Sequence, residues 1–189
     1  MRIIGGNWRG LKLAEVGEGD PKAHLRPTSD RVREAVFNLL VNGRQGDLVR
    51  GARVLDLFSG TGALGLEALS RGALQAVLVD DGKVSARLIA ANMAKMASGG
   101  ALVARHLRAD ATALPRASET FDLVFLDPPY GKGLGERALA SAQAQGWLAP
   151  GARVMWEEGA QLPPPEGFTL LDQRRYGETW VTLLSQGVD

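Results

Sequence analysis

Val54-Leu55-Asp56-Leu57-Phe58-Ser59-Gly60-Thr61-Gly62-Ala63-Leu64-Gly65 runs from an apolar stretch through a glycine-rich turn into a helical pattern. Gly60 and Gly62 allow positive φ and let a ligand come close to the backbone. Gly65 lets the helix pack tightly on the strand. In an open α/β sheet, the crevice beyond the carboxyl end of such a strand is where a nucleotide-like ligand sits. The spacing Gly60-x-Gly62-x-x-Gly65 also satisfies the dinucleotide fingerprint, and a glycine turn can be purely structural, so the glycines alone leave the ligand open.

From Gly51 onward, apolar runs alternate with helical stretches. Strands are expected at 53–58, 76–80, 102–107, 121–126 and 152–156, and helices at 63–71, 83–97 and 133–146, with a short piece at 111–117. Runs such as Val77-Leu78-Val79 and Leu123-Val124-Phe125-Leu126 are apolar on both faces, which predicts a parallel sheet covered by helices. The last two runs, 168–174 and 179–184, surround Tyr176-Gly177-Glu178 and predict an antiparallel hairpin closing one edge. Upstream, extended pieces at 2–4 and 11–16 enclose glycines and suit a hairpin. A polar loop follows at 17–27. A helix should start near Thr28, Ser29 or Asp30, because Val32, Val36, Leu39 and Leu40 then recur at helical spacing. This divides the chain into an extension over 1–27 and an α/β domain over 28–189.

Acids at the strand ends narrow the ligand. Asp56, four residues before the first glycine, points at the crevice. It would repel a pyrophosphate and suit a ligand with an ammonium group, as S-adenosylmethionine has. Asp80 ends the next strand, where a ribose-binding acid belongs in either cofactor class. Asp81 reads as a solvated charge. Asp110 follows the third strand, and two readings stand: an acceptor for an adenine amine, or a cap for the helical piece beginning at Ala111.

Phe121-Asp122-Leu123-Val124-Phe125-Leu126-Asp127-Pro128-Pro129-Tyr130 is the second motif. Each proline fixes φ and removes an N–H, so the loop is stiff and presents carbonyls without competing donors. An exocyclic amine on a base is a poor nucleophile, because its lone pair is delocalised into the ring. Two acceptors, the Asp127 carboxylate and the Pro128 carbonyl, can hold its two hydrogens and turn the lone pair toward a methyl donor. The work is positioning, with the acid stabilising positive charge that develops on nitrogen. Tyr130 offers a face on which a base can stack.

Composition sets the outer bounds. The 189 residues suit one domain with a small N-terminal attachment, and 45% hydrophobic residues can fill a single core. The absence of cysteine excludes thiol catalysis, a disulfide frame and Cys-based zinc sites. His24 and His106 lie far apart without ligand-like spacing, so no metal is expected. No apolar run approaches the roughly 20 residues of a membrane helix, and the start lacks a secretory signal. A cytoplasmic location is expected. Net charge is only +1, but nine Lys/Arg stand against six Asp/Glu in residues 1–50. A basic arm beside a mildly acidic domain is compatible with contact to nucleic-acid phosphates, or with unevenly distributed surface charge.

Asp56-x-Phe58-x-Gly60-x-Gly62 followed by Asp127-Pro128-Pro129-Tyr130 resembles the amino-methyltransferases of the Rossmann type, which place the cofactor at the first turn and the target amine at the second. Arg2-Ile3-Ile4-Gly5-Gly6-x-x-Arg9-Gly10 and Leu25-Arg26-Pro27-Thr28-x-Asp30-Arg31-Val32-Arg33-Glu34 are similar to the bacterial 16S ribosomal RNA guanine-N2 methyltransferases of the RsmD type. The resemblance spans most of the chain and is weakest after Pro150. It implies a seven-stranded methyltransferase sheet with a short N-terminal hairpin, S-adenosylmethionine as cofactor, and guanine N2 of small-subunit rRNA as target. It further implies an assembling or assembled small subunit as partner and a monomeric enzyme. Carried onto this chain, Asp56, Gly60 and Gly62 would line the methionine end of the cofactor, with Phe58, Ser59 and Thr61 also in the cofactor site. Asp80 would hold the ribose, Asp110 with Ala111 the adenine, and Asp127, Pro128, Pro129 and Tyr130 the guanine. Arg2, Trp8, Arg9, Arg26, Arg31 and Arg33 are the candidate RNA contacts. Arg31 and Arg33 are two apart on a helix and point to different sides; Trp147, Trp156 and Trp180 read as packing residues. The chain departs from the family at Asp80-Asp81-Gly82, where Glu is more usual, and at Leu11, where a basic residue is usual.

Three rival readings stay open on the sequence. A methyltransferase of the same architecture could act on adenine N6 of DNA or on a protein glutamine. An oxidoreductase could bind a nicotinamide dinucleotide through Gly60, Gly62 and Gly65. A ribosome-assembly binder could have the fold without the catalysis.

Overall fold

A computed structural model describes residues 1–15, 30–100 and 102–187. Seven strands form one sheet in the order β3-β2-β1-β4-β5-β7-β6. They are β1 (Arg53–Leu57), β2 (Gln75–Val79), β3 (Ala104–Leu107), β4 (Phe121–Leu126), β5 (Leu148–Glu158), β6 (Phe168–Tyr176) and β7 (Thr179–Gln186). The first five run parallel to one another, and β7 pairs antiparallel to both β5 and β6. The mixed sheet expected from the apolar runs and the terminal hairpin is therefore present. Strand order reverses between β1 and β4, which creates the crevice at which α/β proteins place ligands.

The helices are α1 (Asp30–Asn42), α2 (Ala63–Ser70), α3 (Lys83–Ala97) and α4 (Leu134–Ala144), with a 3₁₀ turn at Ala111–Ala113. Apolar residues of α1, α2 and α3 share one core on one sheet face, where Phe37 meets Phe125 with ring centroids 5.5 Å apart. On the other face Ala138, Leu139 and Ala142 of α4 pack with Trp147, which stacks on Phe121 at 5.6 Å. The alternation of β1, β4 and β5 between the two cores follows from the two-residue period of a strand. The helix start expected at 28–30 is described only from Asp30; residues 28 and 29 lie outside the described residues.

Two departures from the sequence reading change the picture of the sheet and its N-terminal attachment. β5 starts at Leu148, because the chain passes through Pro150 and Gly151 without leaving the sheet. Phe121 pairs with Leu148 but Leu123 with Arg153, so residues 149–152 bulge within the strand opposite Asp122 and accommodate the proline. The N-terminal hairpin is reduced to one bridge, Arg2 with Lys12, supported by Ile3 N–H to Leu11 O at 2.9 Å. Ile3 and Leu13 are buried in the same core as α1 and α2, so the hairpin is docked on the sheet domain. Among the described residues no helix is long and apolar enough to cross a membrane.

Candidate active site

Four acids mark the carboxyl ends of four adjacent parallel strands. Asp56 is the penultimate residue of β1, Asp80 and Asp127 directly follow β2 and β4, and Asp110 follows β3. Leu57 is paired with Leu126, so the glycine turn and the Asp127-Pro128-Pro129-Tyr130 loop leave neighbouring strands at the same level. The Asp127 N–H reaches the Leu57 carbonyl at 3.5 Å.

The turn is held tightly. Phe58 is the one non-glycine among the described residues with positive φ (59°), and Gly60 and Gly62 follow at 56° and 78°. Such a conformation costs a non-glycine residue of order 1 kcal/mol or more and persists where its surroundings enforce it. Here Ser59 donates to the Val79 carbonyl from both its N–H (3.0 Å) and its hydroxyl (3.2 Å). Asp80 completes the clamp: Oδ2 accepts the Gly60 N–H and Oδ1 the Gly82 N–H, each at 2.9 Å. Asp80 thus orders the turn and brings its carboxylate to the rim.

Asp56 is 1% exposed, and its Oδ2 accepts the Gly65 N–H at 2.9 Å. Burial pushes its carboxyl up to about 8, with Asp127 and Asp80 adding to the shift and the Gly65 bond opposing it. Near neutral pH the group is therefore largely uncharged. The sequence argument that it repels a pyrophosphate is weakened accordingly. An ammonium ion brought to this cluster would draw the proton off. Asp110 is where the alternative reading put it: Oδ1 caps the 3₁₀ turn, accepting from Thr112 N–H and Oγ1 at 2.7 Å each. Ala111 is buried beneath it.

On the acceptor side Pro128 is buried and Tyr130 remains 36% exposed. The Tyr130 ring lies against Gly159, where an added Cβ would come within 3.1 Å of Cδ2, and its hydroxyl meets Thr179 Oγ1 at 3.3 Å. Desolvation pushes the phenol up to about 12, so it stays protonated. Glu158 Oε1 accepts from Gly131 and Gly159 N–H. Glu157, level with Asp127 on the next strand, is 1% exposed with no partner for Oε1. Burial, then Asp127 and Asp56, raise its carboxyl well above the usual range. Sequence reasoning missed Glu157, Glu158, Gly159 and Thr179. The rule that singled out the other acids, a carboxylate at the end of a parallel strand, would have found Glu157 and Glu158 if applied to the run ending at Trp156.

The arginine candidates separate. Arg2, Arg9 and Arg31 are exposed around one concavity floored by Ile3 and Ile4, with Asp30 and Glu34 also at its edge. Arg33 requires a correction. It is fully buried, bonded to the Arg2 carbonyl and to Asp30 at 2.9 Å and lying 4.0 Å from Glu67, so it cannot meet RNA at the surface. Trp8 is half-buried, and its indole N–H donates to the Met96 carbonyl at 2.9 Å. It reads as a packing residue rather than a base stacker. Arg26 lies outside the described residues.

The family model described as Conserved hypothetical protein 95 matches residues 1–185. The ribosomal RNA small subunit methyltransferase D of Escherichia coli is 39% identical over 182 residues, which cover 94% of this chain and 86% of that protein. The chain belongs to the RsmD methyltransferase family. The solved structure of the Escherichia coli protein yhhF superposes with a TM-score of 0.82 at 35% identity, covering 100% of this chain and 99% of that one. A Thermus thermophilus tRNA (guanine(6)-N2)-methyltransferase is 38% identical over 131 residues, 68% of this chain and 37% of that protein. The seven-stranded sheet is thus that of a methyltransferase of this family.

Proposed function

We propose that the protein transfers a methyl group from S-adenosylmethionine to the exocyclic N2 of a guanine in 16S ribosomal RNA, on an assembling or assembled small subunit. The observation that carries this reading is the shared level of the two loops: Asp127 and the glycine turn emerge side by side from β4 and β1. Methylation of small-subunit rRNA is what the name of the Escherichia coli relative states for that protein. Guanine N2 is favoured by the Thermus relative, named for that atom of a tRNA.

The residues fit the cofactor. Asp56, buried near the carboxyl end of β1 with its carboxylate on the Gly65 N–H, suits an ammonium group. Asp80 suits ribose hydroxyls, and Asp110 with Ala111 an adenine edge. Bound there, S-adenosylmethionine supplies a methyl group on a positively charged sulfur. Phe58, Ser59 and Thr61 shape the turn that orients it. Asp127 and the Pro128 carbonyl accept the two hydrogens of the target amine and turn its lone pair toward the methyl carbon. With the cofactor bound, transfer of its methyl would place a positive charge on the amine nitrogen, which Asp127 would stabilise until the surplus N–H proton passed to its carboxylate or to solvent. Pro129 keeps the loop stiff, and Tyr130 stacks on the guanine. Residues 1–27, with Arg2 and Arg9, act as an RNA-contact extension alongside Arg31, and residues 28–189 as a monomeric catalytic domain.

The test is incorporation of a labelled methyl group into small subunits, naked rRNA and DNA, followed by nucleoside mass spectrometry. N2-methylguanosine in rRNA is the expected product. Label found only as N6-methyladenine in DNA would overturn the substrate assignment.

A further inference from the structure

Asn92 of α3 is fully buried, and its amide is divided between two distant segments. Oδ1 accepts the Ala14 N–H at 2.6 Å and Nδ2 donates to the Ala14 carbonyl at 3.1 Å, so the side chain pairs with residue 14 much as a neighbouring strand would. The remaining Nδ2 hydrogen goes to the Thr61 carbonyl at 2.9 Å. Thr61 is the middle residue of Gly60-Thr61-Gly62. One buried side chain therefore touches both the cofactor turn and the end of the N-terminal segment.

That segment is bonded to the same part of the domain at further points. Glu67 of α2, also fully buried, accepts the Ile4 and Gly5 N–H groups at 2.7 and 2.8 Å. Lys95 of α3 donates to the Lys12 carbonyl at 3.2 Å. Apolar packing of Ile3 and Leu13 would hold the segment whatever the orientation of the Thr61 peptide. A buried amide with fixed geometry does not, since a displaced partner leaves a polar group unsatisfied. With its carbonyl committed to Asn92, the Thr61 peptide has one orientation, and the Gly62 N–H that follows is closed onto the Ser59 carbonyl.

We propose that Asn92 is a positioning residue that couples the two halves of the reaction. It ties the Thr61 peptide of the cofactor turn to the segment bearing Arg2 and Arg9, so cofactor and RNA each bind more tightly when the other is present. The proposal rests on the functional reading above, and linkage requires the coupling to be reciprocal.

The experiment measures small-subunit affinity of the full chain with and without saturating S-adenosylhomocysteine, for wild type, Asn92→Ala and Asn92→Asp. The aspartate keeps the acceptor for Ala14 and loses both donors. Wild type should bind subunits several-fold more tightly with the cofactor product present. In both variants that ratio should fall to about one, with weaker S-adenosylhomocysteine binding by about tenfold and kcat at saturation largely kept. Leu139→Ala, in the core on the opposite sheet face, controls for general destabilisation and should keep the wild-type ratio. An unchanged ratio in the Asn92 variants, a ratio of one in wild type, or the same loss in Leu139→Ala would each overturn the coupling. Failure of wild type to bind S-adenosylhomocysteine at all would instead sink the functional reading, and this inference with it.

Discussion

Glu158 holds Gly131: its Oε1 accepts the Gly131 N–H at 3.0 Å and the N–H of adjacent Gly159 at 2.8 Å. The acid that ends β5 thus fastens the far side of the loop begun by Asp127. Glu158→Gln retains a carbonyl oxygen at this point and should keep most activity. Glu158→Ala releases the loop and should lower kcat by about 10–100-fold, since small misplacements of a positioned group have effects of that size. Gly159→Ala should act similarly by pushing on Tyr130. Steady-state kinetics on small subunits, with S-adenosylhomocysteine affinity as the unchanged reference, checks all three.

Asp127 is the acid whose loss should matter to chemistry alone. Asp127→Ala removes one of the two acceptors for the amine and should lower kcat by about 10²–10³-fold. Asp127→Asn keeps an acceptor without the charge and should fall between. Calorimetric titration should give both variants cofactor affinity close to wild type.

The raised carboxyls of Asp56 and Glu157 make the free protein's stability depend on pH in an unusual direction. Asp56 ionises near 3.8 when unfolded and near 8 when folded. Its contribution is complete below the lower value and is lost as pH rises through the upper one. The melting temperature of the free protein should therefore fall between about pH 4 and 8 and level off above that, and Asp56→Asn should flatten that fall. Binding an ammonium-bearing ligand near pH 7 should release a proton. Titrations of S-adenosylhomocysteine in buffers of different ionisation enthalpy measure that release directly.

Arginines of the N-terminal region should divide by burial. Arg33→Ala leaves the Arg2 carbonyl unpaired, while Glu67 keeps Arg71 and the Ile4 and Gly5 N–H groups, and should cost about 1–3 kcal/mol of stability. Arg9→Ala and Arg31→Ala should change stability by less than about 0.5 kcal/mol. Each should instead weaken subunit binding and reduce the salt dependence of log K by about one unit. Thermal melts and salt-titrated binding separate the two classes.

The sheet was legible because its strands are short apolar runs ended by acids and separated by turn residues. Phe121–Leu126 is bounded where the sequence puts it, and β1, β2, β6 and β7 differ by two residues or fewer at either end. Pro150-Gly151 misled because sequence shows a breaker, while the bulged residues that accommodate it depend on the partner strand. The glycine turn and the Asp127-Pro128-Pro129-Tyr130 loop were visible as motifs. Glu158, Thr179 and Asn92 were not, since each acts on a backbone distant in sequence. Arg33 looked like a surface charge for the same reason: only the folded chain brings Glu67 and the Arg2 carbonyl beside it.

Neighbouring strands in a sheet lie about 4.8 Å apart. Because β1 and β4 are direct neighbours with Leu57 opposite Leu126, the separation of the glycine turn from the Asp127 loop is set by the main-chain ladder and not by a hinge. The ladder works as a fixed ruler. Rebuilding the residues after Asp127 would reshape the surface around that loop while the spacing of the two strand ends stays the same.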